Sequence, residues 1–259
     1  MTLPIAQRDR AADYGQSFEG ARRLKPHLWN VDYCLLTGLR TEIEKFSRTY
    51  ATERSTVVDY GCGAKPYRPL FPKACRYIGV DVCENPWADI VTEVGRYLPI
   101  PDALADLVVS VQVVYLVRDF DFYLRECRRL LKPDGRLFLT THGLWTHHPA
   151  SGGDYYRFTQ DGVRHILKSS GFRCLTLTPI VGTLAAGLHL RQLVYNAWLR
   201  RLGLGKLGAS LNVMVNLRIL LEHWLSPPGT NMSAPVIFAC VAEPDAAGQC
   251  RPCDRERAS

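Results

Sequence analysis

Residues 141–159 read THGLWTHHPASGGDYYRFT, which sets three histidines, an Asp, two adjacent tyrosines and an Arg directly after the apolar run RLFLT. A neutral imidazole titrating near pH ~6.5 can accept a proton at neutral pH. Asp154 can orient such an imidazole or bind a hydroxyl, and Trp145, Tyr155 and Tyr156 can stack on a sugar or an aromatic ring. Arg157 can hold a phosphate or carboxylate. Proline after His148 restricts the backbone there and helps aim the side chain, so His148 is preferred to His147 as the base, with His142 as a further imidazole. Each group also has a structural use. Arg157 can simply pair with Asp154, Tyr156 can belong to the core, and Thr159 can cap a helix.

A second cluster lies upstream, where TVVDY runs into Asp59-Tyr60-Gly61-Cys62-Gly63. Glycines at a strand-to-helix turn let backbone approach a ligand at the carboxyl ends of parallel strands. Asp81 ends the next apolar run, 22 residues after Asp59, and a carboxylate there can accept both hydroxyls of a ribose. A dinucleotide would suit this much, but its fingerprint needs a third Gly where Pro66 stands and no acid before the first. Asp59 would repel a pyrophosphate and suits a ligand carrying an ammonium group. The amino and sulfonium groups of S-adenosylmethionine meet that demand.

The elements that must carry these clusters are legible as an alternation. Strands are expected at 56–60, 76–81, 88–91, 106–111, 135–141, 172–178 and 234–243, several of them apolar throughout, as in strands covered on both faces. Between them lie helical patterns, with Leu124, Cys127 and Leu131 on one face before a turn at Lys132-Pro133-Asp134-Gly135. Val163, Ile166 and Leu167 form another stripe, between Thr159 as N-cap and Gly171 as C-cap. This predicts an α/β fold, a doubly wound, seven-stranded, mostly parallel sheet. Residues 1–55 are expected to form an N-terminal arm and helical cap, with a helix over 29–50. Residues 179–230 form a helical insertion inside a domain spanning 56–243, and 244–259 a disordered tail.

In this order the pieces resemble class I S-adenosylmethionine-dependent methyltransferases, specifically the small-molecule type 11 branch. VVDYGCGAKPY is similar to its first motif, YIGVD to its ribose-binding strand, LPIPDALADLVVS to its fourth strand, and RRLLKPDGRLFLTT to its fifth. The resemblance implies the cofactor S-adenosyl-L-methionine. It puts Gly61 and Gly63 along the methionine moiety, Asp59 reaching the amino group through the loop, Asp81 on the ribose and Val82 against the adenine. Glu93 matches an acid near the adenine amino group, and Gln112 the residue ending the fourth strand. Many relatives read V-L-E-H-V where this chain has Val113-Val114-Tyr115-Leu116-Val117, so the Glu and His are missing. The run HHPASGGDYYRFT is similar to a signature of methyltransferases found with polysaccharide biosynthesis, which implies a saccharide or sugar-lipid acceptor. The loop after the fifth strand lies over the carboxyl edge of such a sheet, beside the methyl donor. That makes His148, Asp154, His142, Tyr156 and Arg157 the candidate catalytic group.

Composition narrows the alternatives. Apolar residues make up 47% and charged residues 22%, which is globular composition. The net charge of +7 favours an anionic partner without naming one, and plain solubility explains it equally. Its spread along the chain, with no added RNA-binding module, weighs against an RNA methyltransferase, and the intact D-x-G-x-G and Asp81 weigh against a non-catalytic cofactor-binding protein. Nine cysteines, an odd number scattered through apolar surroundings, point to a reducing compartment and hence the cytoplasm. Cys250 and Cys253 form one C-x-x-C without a second pair, so no metal is expected. No stretch reaches the ~18 apolar residues of a membrane span. The Leu-rich insertion, with Trp198, Trp224 and several Arg residues, reads as a lid, as peripheral contact with the inner membrane face, or as a homodimer interface, in that order.

Overall fold

The computed structural model describes residues 18–82, 85–147, 153–227 and 229–245. Seven strands form one sheet: β1 (Thr56–Tyr60), β2 (Arg76–Val82), β3 (Ile90–Thr92), β4 (Ala105–Val111), β5 (Leu131–His142), β6 (Phe172–Ile180) and β7 (Ile237–Pro244). Their order is β3-β2-β1-β4-β5-β7-β6. The pairs from β3 through β5 are parallel, and β7 runs antiparallel to both β5 and β6. The order reverses beside β1, between β2 and β4, and open α/β sheets bind ligands at such a switch point.

Alternation along the strands builds two core layers. Val58, Val108, Leu137 and Leu139 face a layer with Leu124, Leu130, Val163 and Leu167, from helices α3 (Phe120–Leu130) and α4 (Gln160–Ser169). Val57, Leu107, Val109 and Phe138 face the opposite layer with Leu39, Ile43 and Phe46, from α2 (Tyr33–Tyr50). A short helix, α1 (Phe18–Leu24), precedes α2. Between β6 and β7 stand two long antiparallel-packing helices, α5 (Thr183–Arg201) and α6 (Gly205–Leu225), followed by one turn, α7 (Thr230–Ser233). The expected doubly wound sheet and helical insertion are therefore present.

Three boundaries differ from expectation for physical reasons. The leading helix begins at Tyr33 and not at Trp29, because the chain before it closes into tight turns, with the Asn30 amide donating to the His27 carbonyl at 2.8 Å and the Tyr33 amide to the Asn30 carbonyl at 3.2 Å. Residues 132–135 do not end the strand pairing; Ala105 pairs with Leu131 and Leu107 with Arg136, so they form an excursion inside β5. The last strand begins at Ile237 and not at Ala234. The Thr159 hydroxyl accepts from the Gly162 amide at 3.1 Å and Gly171 has φ +78°, as the cap assignments require.

Candidate active site

The turn after β1 is built by its glycines. Gly61 has φ +84°, and a Cβ there would lie 2.3 Å from Val113 Cγ2, so backbone and the β4 edge touch as only Gly permits. Gly63 has φ +50° and open space where a side chain would be. Its amide donates to Asp81 Oδ2 at 2.8 Å, the Val82 amide donates to Oδ1 at 2.8 Å, and Asn85 Nδ2 bridges Oδ2 and the Gly63 carbonyl, each at 2.7 Å. One carboxylate thus holds the turn of β1 to the end of β2.

A cavity of about 250 Å³ opens beside this turn. Gly61, Gly63, Asp81, Val82 and Gln112 line it, together with Tyr60, Val94, Gly95, Leu116, Val117, Phe122 and Tyr123. Tyr123 is fixed by bonds to Ser110 Oγ at 2.9 Å and the Tyr60 carbonyl at 3.0 Å. Gln112 has φ +62° and ties to Thr140 through its backbone amide and its Nε2, while its buried Oε1 has no hydrogen-bond partner among the described residues. A buried amide oxygen without a partner costs about 1–3 kcal/mol and fits a donor brought by a ligand. An acid, an open glycine turn and apolar walls suit a polar head joined to a flat ring system.

Two of the seven expected cofactor residues stand elsewhere. Asp59 is buried on the opposite face of β1, where it accepts from the Tyr77 hydroxyl at 2.7 Å. Burial pushes its carboxyl up to about 7, against the opposing effects of that bond and of Lys65. Glu93 is exposed, pairs with Arg96 at 2.8 Å and lines a neighbouring groove that shares Val82 and Val94 with the cavity.

The loop after β5 is anchored to the segment following β4. The amides of Tyr155 and Tyr156 both donate to the Tyr115 carbonyl, at 3.0 and 3.3 Å, and Leu116 and Val117 beside it are cavity wall. Tyr115 packs its ring against His142 at 4.6 Å and under Arg157 at 5.5 Å. Arg157 grips Asp154 through two bonds, 2.5 and 2.6 Å, and donates to the carbonyls of Thr146 and Tyr156. The Tyr156 hydroxyl donates to the Arg118 carbonyl at 2.8 Å. His142 is buried and stacks on Trp145, which stacks in turn on His189 of α5.

His148 lies outside the described residues, as do Cys250 and Cys253. The imidazole beside Asp154 among the described residues is that of the exposed His147, with Nδ1 3.4 Å from Oδ2. Tyr115, Asn85 and Tyr123 escaped the sequence reading. Asn85, four residues past Asp81, was the most accessible of them, since Asn just beyond a strand end commonly bonds local backbone.

Comparison with known proteins agrees with this geometry. Residues 58–139, from β1 to β5, match the family described as Methyltransferase domain. No curated protein matches the chain in sequence. Among solved structures, the (4+2)-cyclase SpnF is similar at 16% identity and TM-score 0.53, covering 81% of each chain. A Galdieria sulphuraria protein described as a candidate sarcosine dimethylglycine methyltransferase is similar at 17% identity and TM-score 0.52, covering 92% of this chain and 97% of that one. Likeness at that identity establishes the fold, and one fold hosts many reactions. Motif order, sheet topology and family match thus agree: residues 58–139 of this chain are similar to a methyltransferase domain, set in a doubly wound sheet of seven strands.

Proposed function

We propose that the protein transfers the methyl group of S-adenosylmethionine to a hydroxyl of a small acceptor, a saccharide or comparable metabolite, held between the 250 Å³ cavity and the loop at 142–158. The observation that carries this reading is the anchoring of that loop on the Tyr115 carbonyl, next to cavity residues Leu116 and Val117. When bound, the cofactor supplies an electrophilic methyl carbon; the chain supplies binding, orientation and a proton acceptor. Asp81 and the Gly63 turn would hold its ribose and methionine ends, Val82 and Val94 would flank the adenine, and Gln112 Oε1 would take a donor. Placement of the acceptor on the far side of the methyl group reduces a bimolecular displacement to a local one.

Deprotonation falls to an imidazole of the loop. Asp154, buried and clamped by Arg157, presents Oδ2 to His147 Nδ1 and so leaves that ring's other nitrogen as acceptor. Arg157 and Tyr156 act as positioning residues, since the guanidinium is spent inside the loop and the Tyr156 hydroxyl on the Arg118 carbonyl. His142 forms the buried wall of the same site. His148 remains a second candidate base by its place in the sequence.

Titration calorimetry with S-adenosylmethionine tests the first half of this reading. Asp81→Ala is expected to weaken binding by about 30-fold or more, since hydrogen bonds to charged groups contribute ~1.5–3 kcal/mol. Unchanged affinity would refute the assignment. For the second half, each of His147→Ala, His148→Ala and Asp154→Asn is assayed against a panel of hydroxylated acceptors. Loss of about 100-fold in turnover with cofactor affinity kept within a few fold supports a loop base, and full activity in all three sinks it.

A further inference from the structure

The α5–α6 hairpin is built inside out. A helix packed on a water-soluble protein turns its apolar stripe inward and its polar face to solvent. Here Ala185, Ala186, Gly208 and Ile219 are buried, and the remaining buried positions are polar: His189, Gln192 and Asn196 on α5 and Asn212 and Asn216 on α6. Three of these polar residues form a network with the backbone of the segment before α2: Gln192 Nε2 donates to Asn212 and Asn216, Asn212 Nδ2 to the Trp29 carbonyl, and Asn216 Nδ2 to the carbonyls of Leu28 and Asn30. The outward positions carry the hydrophobic mass. Val194, Tyr195, Trp198 and Leu202 succeed one another at helical spacing on α5, and Met214, Leu217, Leu221 and Trp224 on α6, all exposed. Trp198 is 66% and Trp224 78% exposed, far beyond what large aromatic side chains usually show on a free surface.

We propose that this outer face docks on an anionic phospholipid bilayer, with the hairpin lying in the headgroup plane. Charge selects this occupant. Residues 183–225 hold Arg191, Arg200, Arg201, Lys206 and Arg218 against a single acid, Glu222, which already pairs with Arg218 at 2.8 Å. A two-fold contact with a second copy would set this cationic face against itself. Anionic headgroups match it, and each surface cation adds to the attraction. Leucines with interfacial Trp and Tyr and a cationic border are the composition of helices that rest at the lipid boundary. Neither helix is long and apolar enough among the described residues to cross a bilayer, so the face lies on the surface. The stack of Trp145 on His189 ties the inner face of the hairpin to the loop at 142–158, so docking holds that loop about one helix diameter, ~10 Å, from the lipid surface.

Flotation of the full chain with phosphatidylcholine vesicles, with and without phosphatidylglycerol, tests the docking without cofactor or acceptor, and so independently of methyl transfer. The protein is expected to rise with the phosphatidylglycerol vesicles at low salt, to bind phosphatidylcholine alone at least about tenfold more weakly, and to be released by added salt. The exposed pair Trp198→Gln/Trp224→Gln and the pair Arg200→Ala/Arg201→Ala are each expected to lose about tenfold or more while keeping wild-type thermal unfolding. Protein remaining at the bottom with phosphatidylglycerol vesicles overturns the proposal, as does wild-type binding by the Trp pair. A concentration-dependent dimer in sedimentation that the Trp pair abolishes, with no vesicle binding, assigns the face to a second copy instead.

Discussion

Gly61 and Gly63 share a motif and a positive φ but do different work. At Gly61 a methyl group would meet both a left-handed backbone and Val113 Cγ2 at 2.3 Å; at Gly63 it would meet only the backbone cost, because the space above is open. The left-handed conformation costs a non-Gly residue roughly 1–2 kcal/mol, and overpacking adds about 1–3. Gly61→Ala should therefore lose about 3 kcal/mol in urea unfolding, and Gly63→Ala only about 1. Gly63→Ala should instead show its effect in cofactor affinity, where the new methyl intrudes on the cavity. Equal stability losses in the two variants would remove the packing account of Gly61.

At the scale of the element, the helical hairpin inverts the usual value of its residues. Asn216 donates to the carbonyls of Leu28 and Asn30, accepts from Gln192 and receives the Cys34 thiol, while Leu217 beside it is exposed. Asn216→Ala strands several buried partners and should cost about 2–4 kcal/mol. Leu217→Ala should fall within about 0.5 kcal/mol of wild type, as exposed substitutions do. Urea midpoints of the two variants check the ranking, and a larger loss at Leu217 would show that the hairpin is packed the other way round. The same bonds explain why the irregular segment at 28–30 is held in place although it has no regular structure of its own. In the loop after β5 the Arg157–Asp154 clamp likewise ties side chains three residues apart into one unit.

For the whole molecule, the buried Asp59 makes stability depend on pH. Its folded carboxyl titrates near 7 where the unfolded value is 3.8, because burial disfavours the charge. The folded chain thus keeps a proton that the unfolded chain has already released, so this contribution is fullest at low pH and is lost as pH rises from about 4 to 7, at up to ~1.4 kcal/mol per unit. Asp59→Asn keeps an oxygen for the Tyr77 hydroxyl and cannot ionise. Thermal unfolding across that window should have a flatter pH dependence in the variant, and an unchanged slope would contradict the assignment. The sheet, the glycine turn and the caps at Thr159 and Gly171 were legible in the sequence because short continuous apolar runs, Gly at positive φ and side-chain capping are local physics. The neighbours of Asp59 were not, because Val57 and Val58 are both apolar and the pattern does not say which face Asp59 takes; pairing Asp59 with Tyr77 required β2 to lie alongside β1. Likewise His147, Asp154 and Arg157 could be counted in the chain, yet which of them pair depends on how the loop folds over Tyr115, some 30 residues or more away. Sequence alone determined a doubly wound sheet and the place of the glycine turn after its first strand. Only the tertiary structure decided that the hairpin hides its polar side and shows its leucines, since which helix face is inside is set by partners at Leu28 and Asn30 far along the chain.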